Sequence, residues 1–424
     1  MIIGSYEQVA GPWLATSREE ARDPTGNAIR RDGLVIEVSG ADVTLAADDR
    51  WVVACEGRPR FSSGHEEPGG ASRWLEEIRA VGLNARTLAE IRGNYCAVIV
   101  DCASRSIVLS CDRFALRTLC YQVTADKRVI FGTRADLVAH RTRPAIDLQA
   151  LYDYFYFHVI PAPRTIFAEV SRLEAGHFVR VHGGTATIER YWTPRFEPVS
   201  APRFDTLQAE FRELIAAAVA RESRGGAVGA FLSGGTDSST VVGMMRQVLG
   251  QPPDAYSIGF DSAGYDEMGY ARIAARHFGA AHHEYYMTPT DLVAGIPVVA
   301  SHYDQPFGNS SALPGFVCAS RARDDGLVKL LAGDGGDELF GGNTRYAKQR
   351  VFEAYHALPA SLRKKVPEPV AARDAMTRVP VVKKAASYVR QASVGMPARL
   401  NTYNLLERLG VTNVLTAPFL AAVP

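Results

Sequence analysis

The sequence predicts two domains: a strand-dominated, antiparallel α+β domain over residues 1–195, followed by an α/β domain with a doubly wound parallel sheet over 205–424. Three observations predict this. A chain of 424 residues exceeds what one ordinary core organises. Up to about residue 195 the chain consists mostly of short alternating or apolar strands broken by turn signals. Beyond 205, continuous apolar strands alternate with segments of helical period, the pattern of βαβ units.

In the first domain the strand candidates are 34–38, 95–100, 106–111 and 129–131, with turn signals at Asp112-Arg113 and Gly183-Gly184. Helices are expected over 73–81 and 148–157. Trp192 and the aromatic run Tyr154-Phe155-Tyr156-Phe157 read as core between the domains. Residues 192–204 carry three prolines and no clear period, and read as a linker.

The second domain opens with an amphipathic helix over 211–221 and an apolar strand over 227–232 of the kind buried on both faces. A glycine loop follows, then a helix with Val241, Val242, Met245, Val248 and Leu249 on one side. A strand over 255–260, a helix over 265–278 stopped by Gly279, and strands over 283–287 and 328–332 complete the alternation.

Composition narrows the function. A formal charge of +1 gives no drive toward nucleic acid or an anionic membrane. No run reaches the roughly 18 apolar residues of a membrane span. The start, MIIGSYEQVAGPW, lacks the basic and apolar regions of a signal peptide, so a cytoplasmic location is expected. The six cysteines contain no CxxC pair, and four of them fall in strand-like sequence where small buried thiols are common. A zinc site or disulfide framework is the minor reading.

In a doubly wound sheet, ligands sit beyond the carboxyl ends of the strands. One such end is Ser233-Gly234-Gly235-Thr236-Asp237-Ser238-Ser239. The GxSxG of a nucleophilic serine is absent. A phosphate cradle fits better: glycines let successive N–H groups point at an anion, a following helix adds its positive end, and Ser233, Ser238 and Ser239 supply hydroxyl donors. Asp237 would repel a bare phosphate, so it implies Mg²⁺ between them or a helix N-cap. The GxxxxGK[ST] loop is also absent, so the missing positive charge must come from elsewhere. A second glycine-acid loop, Gly333-Asp334-Gly335-Gly336-Asp337-Glu338, brings Asp334 and Asp337. Asp237 and Asp337 together suit Mg²⁺, which takes one or two carboxylates plus phosphate oxygens and waters. His282-His283-Glu284 resembles a ligand cluster, but adjacent strand positions face opposite ways.

SGGTDSS resembles the pyrophosphate loop of the ATP pyrophosphatase superfamily. Together with GDGGDELFGGNTRY (Gly333 to Tyr346) it is similar to the asparagine synthetase family, whose relatives include β-lactam synthetases and lasso-peptide cyclases. Arg92 to Tyr121 and Pro161 to Val181 resemble the glutaminase domain of that family. The resemblance implies an Ntn-hydrolase-type first domain and a PP-loop, adenine nucleotide alpha hydrolase-like second domain. It implies ATP and Mg²⁺ as cofactors and AMP-forming amide synthesis from a small-molecule carboxylate and ammonia or an amine. Alternatives are a β-lactam-synthetase-like cyclase and a catalytically silent nucleotide-binding paralogue. Ser233, Gly234, Gly235, Ser238 and Ser239 would hold the pyrophosphate. Leu232, Ile258 and Gly333 would border the adenosine. Asp237 and Asp337 would ligate the metal, and Asp334 would stand with them at the reacting centre. A homodimer is a candidate assembly.

Two departures shape the expectation. Glutamine-using members carry a nucleophilic cysteine directly after Met1, where this chain has Ile2; Cys55 cannot replace an N-terminal thiol. A degenerate glutaminase fold without glutaminase activity is therefore expected. The family's helical region beyond the second loop, with its lysine near the transferred phosphate, finds no match here. Lys348, Lys383 and Lys384 read as helix-surface charge, and the second domain reads as short at its C-terminus. The loop at Pro306 to Ser311, preceded by His302, Tyr303 and Asp304, is a candidate lining of the acceptor pocket.

Overall fold

Apolar side chains occupy both faces of the strand Trp51–Gly57: Val52 and Ala54 enter one buried cluster, Val53 and Cys55 another. A strand with two dry faces needs a layer on each side. The computed structural model supplies both. It describes every residue except 9–20, 23–26, 63–69, 198–202, 262–265, 357–358, 360–387, 390 and 424. Two units emerge: Met1–Glu197 with Tyr303–Gly308 and Leu415–Pro424, and Pro198–His302 with Asn309–Val414.

In the first unit the elements run β1 (Ile2–Glu7), β2 (Ala21–Arg22), β3 (Ala28–Arg31), β4 (Leu34–Val38), β5 (Val43–Ala47), β6 (Trp51–Gly57), α1 (Ala71–Val81) and α2 (Ala85–Glu90). They continue with β7 (Tyr95–Asp101), β8 (Ser106–Cys111), β9 (Cys120–Val123), β10 (Arg128–Gly132), α3 (Ala135–Thr142), α4 (Leu148–Phe157), β11 (Ser171–Arg172), β12 (His177–His182) and β13 (Thr185–Arg190). One antiparallel sheet has the order β11-β9-β10-β1-β4-β3-β2, the other β13-β12-β8-β7-β6-β5. Ile2, Leu34, Ile36 and Phe131 of the first sheet meet Val52, Val98, Ile107 and Leu109 of the second in one dry layer. The outer face of the second sheet packs Val53, Ala97 and Ile99 on Trp74 and Ile78 of α1. The outer face of the first packs Cys120 and Ile130 on Val138 and Ala139 of α3. The layers are therefore helix, sheet, sheet, helix.

Several details differ from the sequence expectation. Helix α1 starts at Ala71 rather than 73, because the Ala71 N–H finds a partner in Thr44 Oγ1 at 2.8 Å. Cys102 lies just after β7 in a turn and is half-exposed. The aromatic run of α4 is not core: Phe155 is 36 % and Phe157 53 % exposed. Trp192 is half-buried, edge-on to Phe114 at 5.1 Å and under the Arg113 guanidinium at 5.5 Å. Residues 198–202 of the expected linker lie outside the described residues.

The second unit runs α5 (Phe204–Glu222), β14 (Val228–Phe231), α6 (Thr236–Leu249), β15 (Asp254–Phe260), α7 (Met268–Phe278), β16 (Ala281–Met287), α8 (Pro289–His302), α9 (Ala312–Asp324), β17 (Lys329–Leu331), α10 (Gly336–Phe340) and α11 (Thr344–His356). The sheet order is β16-β15-β14-β17, every neighbour parallel. Val219 of α5, Val242 and Met245 of α6 and Ala271 of α7 cover one face through Ala230 and Ala255. Cys318 and Ala322 of α9 cover the other through Tyr256 and Ile258. Helices on both faces make the sheet doubly wound. From β14 the chain moves outward to β15 and β16, then returns to β17 on the other side of β14. The strand order thus reverses between β14 and β17, the position where such sheets open a crevice at their carboxyl ends.

Candidate active site

Both glycine-acid loops leave the sheet at that crevice, one after β14 and the other after β17. Gly234 has φ +84°, and a Cβ there would lie 2.4 Å from the Ala271 nitrogen, so α7 backbone and the left-handed conformation both require glycine. The N-cap of α6 is Gly235, which caps with no side chain. Asp237 is therefore not the N-cap but the second helical residue, free for other work. The Ser233 and Ser238 hydroxyls lie 3.0 Å apart, and Ser238 Oγ also accepts from the Ser233 N–H at 3.2 Å. The Gly235 N–H donates to Ser233 Oγ at 3.3 Å. These side chains satisfy one another around the loop, and among the described residues no histidine bonds either hydroxyl as a nucleophile's base would. Ser239 lies one residue on, its N–H in the helical bond to the Gly235 carbonyl.

The second loop closes directly on Asp237. A Cβ at Gly336 would stand 2.4 Å from Asp237 Oδ2, and one at Gly333 would stand 2.8 Å from the Asp237 backbone carbon. Glycine at 336 leaves room for the Asp237 carboxylate, and glycine at 333 leaves room for the backbone of α6 at Asp237 and Ser238. Gly335 turns the loop at φ +90°. Leu232, Ser233, Asp237, Ser238, Ile258 and Gly333 line one cleft of about 850 Å³, with Asp334 on the same cleft. Asp337 sits in the first turn of α10 with Oδ1 packed toward Gly342. The structure therefore brings Asp237 and Asp334 to one cleft and places Asp337 a helical step beyond. The cleft is two-ended: serines and acids at the loops, Ile258, Phe260, Pro314 and Cys318 along an apolar wall. Ser310 and Ser311, from the loop expected to line an acceptor pocket, also face it. Asp304 does not; it accepts from the Ala135 N–H at 2.7 Å and from Arg172 at 2.6 Å.

Among the described residues no three His, Cys, Asp or Glu side chains gather as a metal cage. The His282-His283-Glu284 triplet divides by strand period: His283 stacks on Tyr256 at 4.4 Å and bonds Asp254 at 2.8 Å. On the opposite face His282 Nε2 lies 2.7 Å from Ser257 Oγ. Lys383 and Lys384, and the side chain of Lys348, fall outside the described residues.

The asparagine synthase family profile matches residues 210–414, and the glutamine amidotransferase domain profile matches residues 75–192. The chain belongs to the asparagine synthetase family. It is 28 % identical over 278 residues to the glutamine-hydrolyzing asparagine synthetase 1 of Bacillus subtilis, covering 65 % of this chain and 44 % of that protein. It is 28 % identical over 356 residues to a putative asparagine synthetase of Methanocaldococcus jannaschii, covering 81 % and 68 %. A putative asparagine synthetase of Mycobacterium bovis is 31 % identical over 292 residues, covering 65 % and 44 %. The matched chain thus spans under half the length of two of these three synthetases. The amidotransferase profile falls on the antiparallel unit, and the asparagine synthase profile on the parallel sheet with both glycine-acid loops.

Five of the six cysteines are buried, and burial shifts their thiols. Burial pushes the Cys55 and Cys111 thiols up to about 12 and Cys120 to about 11, and holds Cys96 well above the ordinary range. Burial also raises Cys102 and lifts Cys318 to about 12. A protonated, enclosed thiol is a poor nucleophile. Position 2 is Ile2, fully buried in β1.

Two sets of contacts beside the site were not foreseen from the sequence, although Ser257 heads a strand end, Ser257 to Asp261, that is chemically distinctive there. Ser257 is buried and donates to the Leu232 carbonyl at 2.5 Å, directly before the first loop. Arg272 of α7 grips Glu284 with contacts of 2.6, 2.9 and 3.1 Å. Register pairs Ser257 with Glu284, so their side chains share a face; nothing in the sequence alone placed them together.

Proposed function

We propose that the chain is an ATP-dependent, AMP-forming ligase that adenylates a small-molecule carboxylate and passes the acyl group to ammonia or an amine, using a PP-loop. The observation that carries this reading is the closure of the Gly333–Gly336 turn on Asp237 at the strand-order reversal. Two acid-glycine loops at one crevice suit a triphosphate and its counterion. Ser233, Gly234, Gly235, Ser238 and Ser239 would hold the pyrophosphate, and Leu232, Ile258 and Gly333 would border the adenosine at the apolar end of the cleft. Asp237 and Asp337 would hold Mg²⁺, with Asp334 beside them; the room kept for the Asp237 carboxylate fits that role. Bound there, Mg²⁺ would neutralise phosphate charge. The chain's own contribution is positioning and exclusion of water from the acyl group.

The amidotransferase half is proposed to be inactive as a glutaminase, on the support of the buried thiols of Cys55, Cys96, Cys111 and Cys120. The proposed location is the cytoplasm; among the described residues no helix is long and apolar enough to cross a membrane. Pyrophosphate exchange into ATP tests the reading. Exchange should require an added carboxylate and vanish in Asp237→Ala. Nucleotide binding without exchange under any acceptor acid would favour a silent paralogue instead.

A further inference from the structure

The Leu232 carbonyl and the Ser233 N–H belong to one planar peptide unit and point in opposite directions. Each end of that unit is held. The carbonyl accepts from Ser257 Oγ at 2.5 Å, and the N–H donates to Ser238 Oγ at 3.2 Å. The Leu232 N–H is also occupied, by the Tyr256 carbonyl at 2.9 Å. Ser257 has one proton, and a carbonyl can only accept, so that proton is committed to Leu232. The 2.7 Å contact between Ser257 Oγ and His282 Nε2 must then be a donation from the ring. His282 therefore carries a proton on Nε2. Burial pushes the ring toward its neutral form, with Arg272 and His283 acting the same way and Glu284 opposing them. Glu284, on the Nδ1 side at 3.3 Å, is held in place by Arg272 of α7.

We propose that Ser257 and His282 form a positioning relay that fixes the Leu232–Ser233 peptide plane, and through it the Ser233–Ser238 pair, for nucleotide binding. Ser257 and His282 are positioning residues; neither lines the cleft. The relay runs from the edge strand β16 through β15 to the first loop, and each link is a single hydrogen bond. Ser257 is 4 % exposed, so water does not replace a lost link freely. Without it the peptide unit is held only at its N–H end, and the loop gives up part of its order before ATP arrives. The inference rests on the proposed nucleotide site, and its test separates the two.

Titration calorimetry with MgATP on the whole chain, with melting temperatures alongside, tests the relay. Ser257→Ala and His282→Leu are expected to weaken MgATP binding about tenfold, the equivalent of one net hydrogen bond. His282→Gln, which keeps a donor near the Nε2 position, is expected to recover binding to within about threefold of wild type, on the same scale. Ser257→Ala binding as tightly as wild type, or His282→Gln as weakly as His282→Leu, overturns the relay. If the wild type itself fails to bind MgATP, the nucleotide reading falls, and imidazole ¹⁵N shifts still decide the relay. A protonated His282 Nε2 whose shift moves in Ser257→Ala supports it, and an unprotonated Nε2 at neutral pH refutes it.

Discussion

Gly336→Ala isolates the Asp237 carboxylate. The new methyl would stand 2.4 Å from Asp237 Oδ2 and 2.6 Å from Cγ, distances no Cβ tolerates. The obstacle is the end of a side chain, so the cheapest relief is rotation of the carboxylate out of its place. An off-rotamer side chain costs about 0.5–1.5 kcal/mol. Gly336 is the first helical residue of α10 and has no left-handed φ, so alanine there returns about 0.4–1 kcal/mol through the unfolded state. Net stability should therefore change by less than about 1 kcal/mol. Gly333→Ala differs: its methyl would meet the Asp237 backbone carbon at 2.8 Å and the Ser238 nitrogen at 3.0 Å. Backbone must move, at about 1–3 kcal/mol. Denaturant unfolding should thus separate the two variants, while calorimetry should find MgATP affinity reduced at least about tenfold in both. A Gly336→Ala protein that binds MgATP within twofold of wild type would refute the argument that this carboxylate must occupy the gap beside Gly336.

Asp337→Asn should weaken MgATP more than it weakens metal-free ATP, read by titrating with and without Mg²⁺; equal effects would remove Asp337 from the metal. Gly234→Ala combines a φ of +84° with a 2.4 Å approach to the Ala271 nitrogen, and should destabilise the fold by about 2 kcal/mol or more in denaturant unfolding. Glutamine should yield no ammonia above background, and a thiol reagent at pH 8 should leave the buried cysteines of the native chain unlabelled while labelling all six after denaturation. Ammonia release lost in Cys55→Ala would contradict the inactive half. Alkali should destabilise the chain. Cys55, Cys111 and Cys120 rise from 9.0 to about 12, 12 and 11 on folding. Between those values the native state binds more protons than the unfolded one, so stability present below pH 9 declines as pH rises. Unfolding free energies at pH 8 and 10.5 check the sign, and a flat profile would contradict it.

Strands β14 and β17 were legible because each announces itself twice, by an apolar run and by the glycines just beyond it. The expected strand over 255–260 became Asp254–Phe260, and the α6 apolar stripe of Val242, Met245 and Leu249 faces the core cluster as its spacing implies. The first unit was harder to read. Strand β6 is apolar on both faces, since helix and sheet cover it, and so has no alternation to follow. β13 is exposed along its whole length, Ile188 included, and its one large apolar residue gives too little pattern to follow. Helix α8 contains Pro297, a residue that argues against a helix interior. At the site, the loop residues could be read one by one. The fit between Gly336 and Asp237 could not, because it depends on two loops a hundred residues apart meeting at the β14–β17 reversal. The Ser257–His282 link was hidden for a similar reason: it appears only once β15 and β16 are placed in register.

The two loops are proposed to make one metal–nucleotide site around Asp237. Calorimetric titration of MgATP into the wild type and Asp237→Asn measures it most directly. One MgATP should bind per wild-type chain, and the variant should bind at least about a hundredfold more weakly, with melting temperatures alike. Equal affinity in the two proteins would contradict it.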